Sequence, residues 1–195
     1  MTPVRLVLLD RDGVLNADRP DSVKSPAELV LLPGAAGAVR RLNEAGRLVA
    51  VCTNQGVVGR GIIDEAMLAR IHEKLRAELA REGARLDALI HCSDHPRQAG
   101  PRRKPAPGML REAMARFRLP PAETVMIGDG LADLEAAAAA GCQRILVRSG
   151  KGRATQAAGL PAHLLPVAVH EDLAGAVAAL LDGPSANSHA AGKTA

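Results

Sequence analysis

Apolar residues along the chain gather into short unbroken runs, separated by longer stretches in which they recur at helical spacing. The runs Leu6–Leu9, Leu48–Cys52, Ala88–Cys92, Thr124–Ile127 and Arg144–Val147, with a weaker one at Leu165–Val169, predict strands with no solvent face. The stretches between them predict helices over Gly34–Glu44, Asp64–Arg81, Gly108–Phe117, Leu131–Ala140 and Glu171–Leu181. In the second of these, Asp64 suits the N-cap, and Met67, Leu68, Ile71, Leu75 and Leu79 share a face. Pro107 suits the entrance of the next helix and Gly141 the exit of the one after. Strands alternating with helices predict an α/β domain whose parallel sheet is covered on both faces. Ligands of such sheets bind beyond the carboxyl ends of the strands. Asp10, Thr53, Asn54 and Asp129 follow directly on predicted strands or lie just past them, so they are expected to converge.

Composition narrows this picture. A chain of 195 residues, 47% hydrophobic, suffices for one domain with a full core. We expect that domain over residues 1–182 and a disordered tail over residues 183–195, where small and polar residues dominate. Aromatics are 1% of the chain, with Phe117 alone, so the core must be Leu, Val, Ile and Ala. That scarcity argues against a single-strand nucleic-acid binder, which stacks bases on rings. The net charge of +4 fits either arginine used for solubility or attraction of phosphorylated substrates. Three cysteines give no disulfide framework and point to a reducing compartment. The first apolar run is too short for a signal peptide, and nothing approaches the roughly twenty apolar residues of a membrane span. A cytoplasmic protein without membrane partners is expected.

Polar motifs stand at or near the strand ends. Asp10-Arg11-Asp12-Gly13-Val14-Leu15-Asn16 follows the first run. Its two carboxylates would repel if buried unpaired, a conflict that a divalent cation with hard oxygen ligands, such as magnesium, removes. Thr53-Asn54-Gln55-Gly56 offers a hydroxyl, amides and backbone N–H groups to phosphate oxygens. In Arg102-Arg103-Lys104-Pro105-Ala106-Pro107-Gly108, prolines fix the backbone that carries a lysine, and a fixed cation stabilises charge in a transition state. In Ile127-Gly128-Asp129-Gly130-Leu131-Ala132-Asp133, Asp129 can complete a cation's ligands and Asp133, one helical turn on, can brace it. Each motif alone also reads as an ordinary turn, basic loop or helix cap. Their order and placement at strand ends carry the functional reading.

Together these motifs resemble the haloacid dehalogenase (HAD) superfamily of aspartate-nucleophile phosphatases. Within it they look like the branch of heptose bisphosphate and histidinol phosphatases, as do Gly59-Arg60-Gly61, Gly150-Lys151-Gly152-Arg153 and Glu171-Asp172-Leu173. The resemblance runs from about Leu6 to Leu181. It implies a Rossmannoid three-layer sandwich with a mostly parallel central sheet and no substantial cap domain. It also implies roles. Asp10 would be the nucleophile and Asp12 the general acid and base. Thr53 and Lys104 would stabilise the phosphoryl group. Magnesium would be held by Asp10, the Asp12 carbonyl and Asp129, with Asp133 behind. Asp18, Arg19, Pro20 and Asp21 would face a sugar. Asn54, Gln55, Gly56 and Arg103 would contact substrate, and Arg60 a distal phosphate.

The implied reaction removes the 7-phosphate of D-glycero-D-manno-heptose 1,7-bisphosphate, supplying heptose for lipopolysaccharide or another surface glycan. Histidinol phosphate is the alternative substrate, disfavoured because Arg103 and Arg60 would repel its amine. A DNA 3′-phosphatase is disfavoured by scattered basic residues and missing aromatics, and a non-catalytic module by the retained carboxylates. A monomer acting on a small phosphorylated sugar is expected. Two departures stand out. Relatives of this type hold the loop before Arg103 with a zinc site, C-x-H followed by C-x-C. Here Cys92 remains, but Asp94, Gly100 and Arg102 replace the other ligands. Cys92 with His91 or His95 makes a poor four-coordinate site, so zinc is not expected and prolines 96, 101, 105 and 107 are the substitute. Gly130 stands where relatives often have Lys or Ser, which alters contact with substrate.

Overall fold

The structure, a computed structural model, describes residues 3–182; the tail expected over residues 183–195 lies outside the described residues. Strand β1 (Leu6–Leu9) is buried at every position. Its side chains alternate: Val7 and Leu9 join one core cluster, Leu6 and Leu8 another. That alternation requires apolar cover on both faces, and helices supply it. On one face, α1 (Ala35–Glu44), α3 (Glu65–Arg81) and α7 (Leu173–Asp182) bury Val39, Leu42, Ile71, Leu75, Leu79 and Val177. On the other, α4 (Gly108–Phe117) and α5 (Leu131–Ala140) bury Met109, Leu110, Ala113, Ala136 and Ala137. The layers are helix, sheet, helix.

The sheet also contains β2 (Leu48–Asn54), β3 (Ala88–Cys92), β4 (Thr124–Gly128), β5 (Gln143–Val147) and β6 (Ala168–His170). Its six strands run in the order β3-β2-β1-β4-β5-β6, all parallel. From β1 the chain winds outward to one side through β2 and β3, then returns to β4 on the other. The crevice beyond β1 and β4 is therefore the topological switch point. Leu9 pairs with Ile127, so Asp10 and Asp129 emerge side by side from neighbouring strands. Between β1 and α1 the chain forms only a loop with the short 3-10 turn Pro26–Glu28, consistent with a fold lacking a substantial cap.

Some boundaries differ from expectation. β2 continues through Thr53 and Asn54 because these pair with His91 and Cys92 of β3. β6 starts at Ala168 rather than Leu165, since Leu165 is exposed and Pro166 has no N–H for a ladder. Helix α7 begins at Leu173, where the Asp172 carboxylate caps the Gly175 N–H at 2.8 Å. Asp64 caps α3 through the Met67 N–H at 2.7 Å, as expected. Helices α2 (Gly56–Gly59) and α6 (Gly152–Ala157) had no sequence signal, being too short to show a period. Among the described residues no helix is long and apolar enough to cross a membrane.

Candidate active site

Asp10, Asp129 and Asp133 bring one carboxylate oxygen each to within 4.8 Å of one another. Burial raises the Asp10 carboxyl most, with Lys104 opposing and Asp133 and Asp12 adding, to about 6. Burial and then Asp10 push Asp129 up to about 7, against the Lys151 backbone N–H. Negative charge is thus crowded beyond what the protein neutralises, and the donors are hard oxygens. Such a set fits magnesium. Two glycines make the crowding possible. A Cβ on Gly13 (φ +82°) would lie 2.0 Å from Asp129 Oδ2, and one on Gly150 (φ +55°) 2.1 Å from the same atom. Both also hold backbone angles that side chains resist. Ser149 Oγ donates to the Gly13 carbonyl at 2.7 Å and Thr155 Oγ1 to that of Asp129 at 2.8 Å, tying α6 and the turn before it to the site.

Lys104 is buried between the carboxylates, its Nζ 3.0 Å from Asp10 Oδ1 and 2.5 Å from Asp133 Oδ1. Burial alone would lower its proton affinity, but the two aspartates more than reverse this, so it stays charged. Asn54 positions it: Nδ2 donates to the Lys104 carbonyl at 2.9 Å, and Oδ1 accepts its N–H at 3.1 Å. Asp133 Oδ2 accepts the Gly130 N–H at 3.0 Å, so this carboxylate is already occupied on both oxygens.

Asp12 has a separate environment. Arg11 Nη2 donates to both of its oxygens at 2.9 Å, Asn16 Nδ2 to Oδ1 at 2.9 Å and Gln55 Nε2 to Oδ2 at 2.9 Å. Burial raises this carboxyl, yet Arg11, Asn16 and Gln55 together hold it below the usual range. Gln55 Nε2 also donates to Thr53 Oγ1 at 2.9 Å. The Arg11 guanidinium is fully buried and reaches His72 Nε2 of α3 through Nη1 at 3.2 Å.

A cleft of about 510 Å³ opens over these groups. Of the residues expected to touch substrate, Asp18, Arg19, Pro20, Asn54, Gln55, Gly56, Arg60 and Arg103 line it, as do Asp10, Asp12, Lys104, Asp129 and Asp133. Two expected residues do not. Thr53 is buried behind Gln55, and the exposed Asp21 turns its carboxylate to Lys24 and Arg19. Arg19, Arg60, Arg103 and Lys151 give the rim a positive edge, with Lys151 paired to Asp18 at 3.3 Å and Arg60 Nη2 donating to Ser22 Oγ at 3.2 Å. Sequence reasoning missed Arg11, Asn16, His72 and Lys151 as parts of the site. For Arg11 a signal existed, since a lone cation between two strand-end aspartates must neutralise one of them. For His72 there was none.

The loop carrying Arg103 and Lys104 is closed by Asp94. Its Oδ2 accepts the Gly100 N–H at 2.8 Å, and its carbonyl accepts Arg103 Nη1 at 3.0 Å. His91 faces Glu65 at 3.1 Å, while His95 Nδ1 accepts the Arg97 N–H at 3.1 Å. The prolines are therefore joined by a hydrogen-bonded clasp that the sequence had not revealed.

Comparison with known proteins agrees with this geometry. The HAD-hydrolase-like family model matches residues 101–176. D-glycero-beta-D-manno-heptose-1,7-bisphosphate 7-phosphatase of Bordetella bronchiseptica is 43% identical over 91% of this chain and 98% of its own. The enzyme of the same name from Pseudomonas aeruginosa is 39% identical over 90% of this chain and 97% of its own. The crystal structure of the D,D-heptose 1,7-bisphosphate phosphatase from B. bronchiseptica, complexed with magnesium and phosphate, matches with a TM-score of 0.87 over 92% of this chain and 99% of that one. The corresponding phosphatase from Burkholderia thailandensis, 40% identical, matches with a TM-score of 0.71 over 91% of this chain and 98% of that one. The chain belongs to the HAD superfamily, in the family of the D-glycero-D-manno-heptose-1,7-bisphosphate 7-phosphatases, and is a phosphatase.

Proposed function

We propose that this chain is a magnesium-dependent phosphomonoesterase that removes the 7-phosphate of D-glycero-D-manno-heptose 1,7-bisphosphate through an aspartyl-phosphate on Asp10. The observation that carries the reading is Asp10 at the switch point, 3.0 Å from the buried Lys104, in a chain 43% identical to a phosphatase named for that substrate. The relatives' names favour the β-anomer. Asp10 attacks phosphorus with its carboxylate, and Lys104 offsets the charge shared between the Asp10 and phosphoryl oxygens. Asp10, Asp129 and the Asp12 main chain would hold magnesium. The bound ion supplies positive charge that relieves the repulsion among the carboxylates and the incoming phosphate.

Asp12 serves both halves of the cycle. A phosphate dianion arriving beside it raises its proton affinity, so that it can protonate the leaving sugar oxygen. Returned to Arg11, Asn16 and Gln55, the carboxylate is a base for the water that attacks the aspartyl-phosphate. Asn54 acts by fixing the Lys104 backbone. Arg19, Arg60, Arg103 and Lys151 form the rim that suits a second phosphate, and the same rim opposes the cationic amine of histidinol phosphate. The test is phosphate release with magnesium from both anomers of the heptose bisphosphate, from histidinol phosphate and from a 3′-phosphorylated DNA end. A preference for the β-bisphosphate, abolished by Asp10→Asn, is expected. Preference for another substrate would replace the specificity, and an active Asp10→Asn protein would refute the mechanism.

A further inference from the structure

We propose that His72, outside the cleft, is a positioning residue for phosphoryl transfer, acting through Arg11 on Asp12. The proposal rests on the reading of Asp12 as the acid–base group. His72 lies on α3 among Leu68, Ile71, Leu75 and Leu79, a face that is otherwise apolar, and it is itself buried. Its ring does not line the active-site cleft. It lines instead a separate cavity of about 250 Å³, with Glu65, Glu73, Arg76, Leu89 and His91.

The connection is a matter of hydrogen-bond supply. Arg11 is fully buried, so each guanidinium N–H needs an acceptor inside the protein. Nη2 and Nε go to Asp12, at 2.9 Å and 3.3 Å. Nη1 meets His72 Nε2 at 3.2 Å, across 61 positions of sequence. A guanidinium donates only, so Nε2 must present its lone pair, and the ring must be neutral with its proton on Nδ1. Burial, followed by the positive charge of Arg11 and that of Arg76, keeps it so. Removing that lone pair strands Nη1 in a buried place. The guanidinium must then shift to find another acceptor, and the fork that holds both Asp12 oxygens shifts with it. A displaced acid–base group costs turnover while leaving the rim, which binds substrate, as it was.

The test uses the full chain with saturating magnesium and compares His72→Asn and His72→Gln with Asp12→Asn as reference. The Gln oxygen can occupy the place of Nε2; the Asn oxygen is a bond short. Two substrates are needed: the heptose bisphosphate, whose alkoxide must be protonated as it leaves, and p-nitrophenyl phosphate, whose leaving group needs no proton. His72→Asn should lower kcat/KM on the sugar, which reports formation of the aspartyl-phosphate and so the leaving-group proton, about tenfold and spare kcat/KM on nitrophenyl phosphate. Meanwhile kcat, which includes hydrolysis of the intermediate, should fall on both. His72→Gln should restore most of the loss. Equal loss of kcat/KM on both substrates, an unchanged kcat/KM on the sugar, or no rescue by Gln would overturn the proposal. An Asp12→Asn protein without any leaving-group contrast in kcat/KM would instead remove the reading of Asp12 on which it stands. Contrast in Asp12→Asn but not in His72→Asn would refute His72 alone.

Discussion

The floor and the rim of the cleft are built on different terms. The floor consists of Asp10, Asp129, Asp133 and Lys104, placed by two strand ends, the first turn of a helix and the loop that Asn54 holds, with the last three buried. Its contacts are charge pairs and hydrogen bonds shielded from water, so no member can move without leaving another unpaired. The rim consists of Asp18, Arg19, Arg60, Arg103 and Lys151 on loops, paired through partly exposed contacts such as Lys151–Asp18 at 3.3 Å. Surface pairs of this kind are worth little to stability and can be exchanged. On the proposed reading this is a division of labour: the floor would carry the chemistry, while the rim would select the substrate.

Breaking the floor should have the largest effect. Lys104→Ala leaves Asp10 and Asp133 facing each other without a cation. It should cost about two to three orders of magnitude in kcat/KM, with a loss of stability of about 3 kcal/mol by the logic of a broken buried pair. Steady-state kinetics and denaturant titration check both. Gly13→Ala places a methyl carbon where Asp129 Oδ2 now lies. Magnesium affinity, measured by calorimetry, should fall by about tenfold to a hundredfold.

The raised carboxyls of Asp10 and Asp129 give the floor a pH signature. Both folded values, about 6 and about 7, exceed those of the unfolded chain. The folded state therefore holds more protons between the ordinary carboxylate range and neutrality, and ionising these groups destabilises it. Without magnesium, the melting temperature should fall as pH rises from about 4 to about 7. Magnesium should raise it more at the upper end of that window than at the lower. A magnesium shift independent of pH would contradict the assignment of these carboxylates to the ion.

Effects at the rim should be smaller and of another kind. Arg103→Ala should raise KM for the bisphosphate about tenfold and change kcat by less, because rim binding is made before and during reaction alike. Asp18→Asn, which removes a partly exposed pair with Lys151, should alter stability by no more than about 0.5 kcal/mol and act on KM rather than kcat. A rim substitution that abolished kcat, or a floor substitution that changed KM alone, would dissolve the distinction.

The same division describes what was legible in the sequence. The floor was read almost entirely, because buried parallel strands are continuous apolar runs and the first polar residue after each run marks its carboxyl end. Asp10 and Asp129 stand out for that reason. The supports of the floor were read less well. Asn54 was expected to touch substrate, and its amide also pins Lys104, a pairing across 50 positions that spacing does not encode. Arg11 and His72 meet across 61 positions on different elements, which spacing does not encode either. The rim was read in part. Four consecutive residues, Asp18 to Asp21, were expected to face substrate, yet a turn with Ser22 at positive φ sends Asp21 outward. Local chain direction in such a loop depends on single dihedral angles, which no periodic pattern records.

The central claim is that Asp10 becomes phosphorylated. The most direct measurement is borohydride trapping during turnover of p-nitrophenyl phosphate by the Asp12→Asn protein with magnesium, followed by peptide mass spectrometry. In that variant the intermediate forms without a proton donor but lacks its base for hydrolysis, so it accumulates. Homoserine at position 10, and at no other aspartate, is the predicted result. Continued turnover with Asp10 unmodified, or with homoserine at another position, would contradict the account.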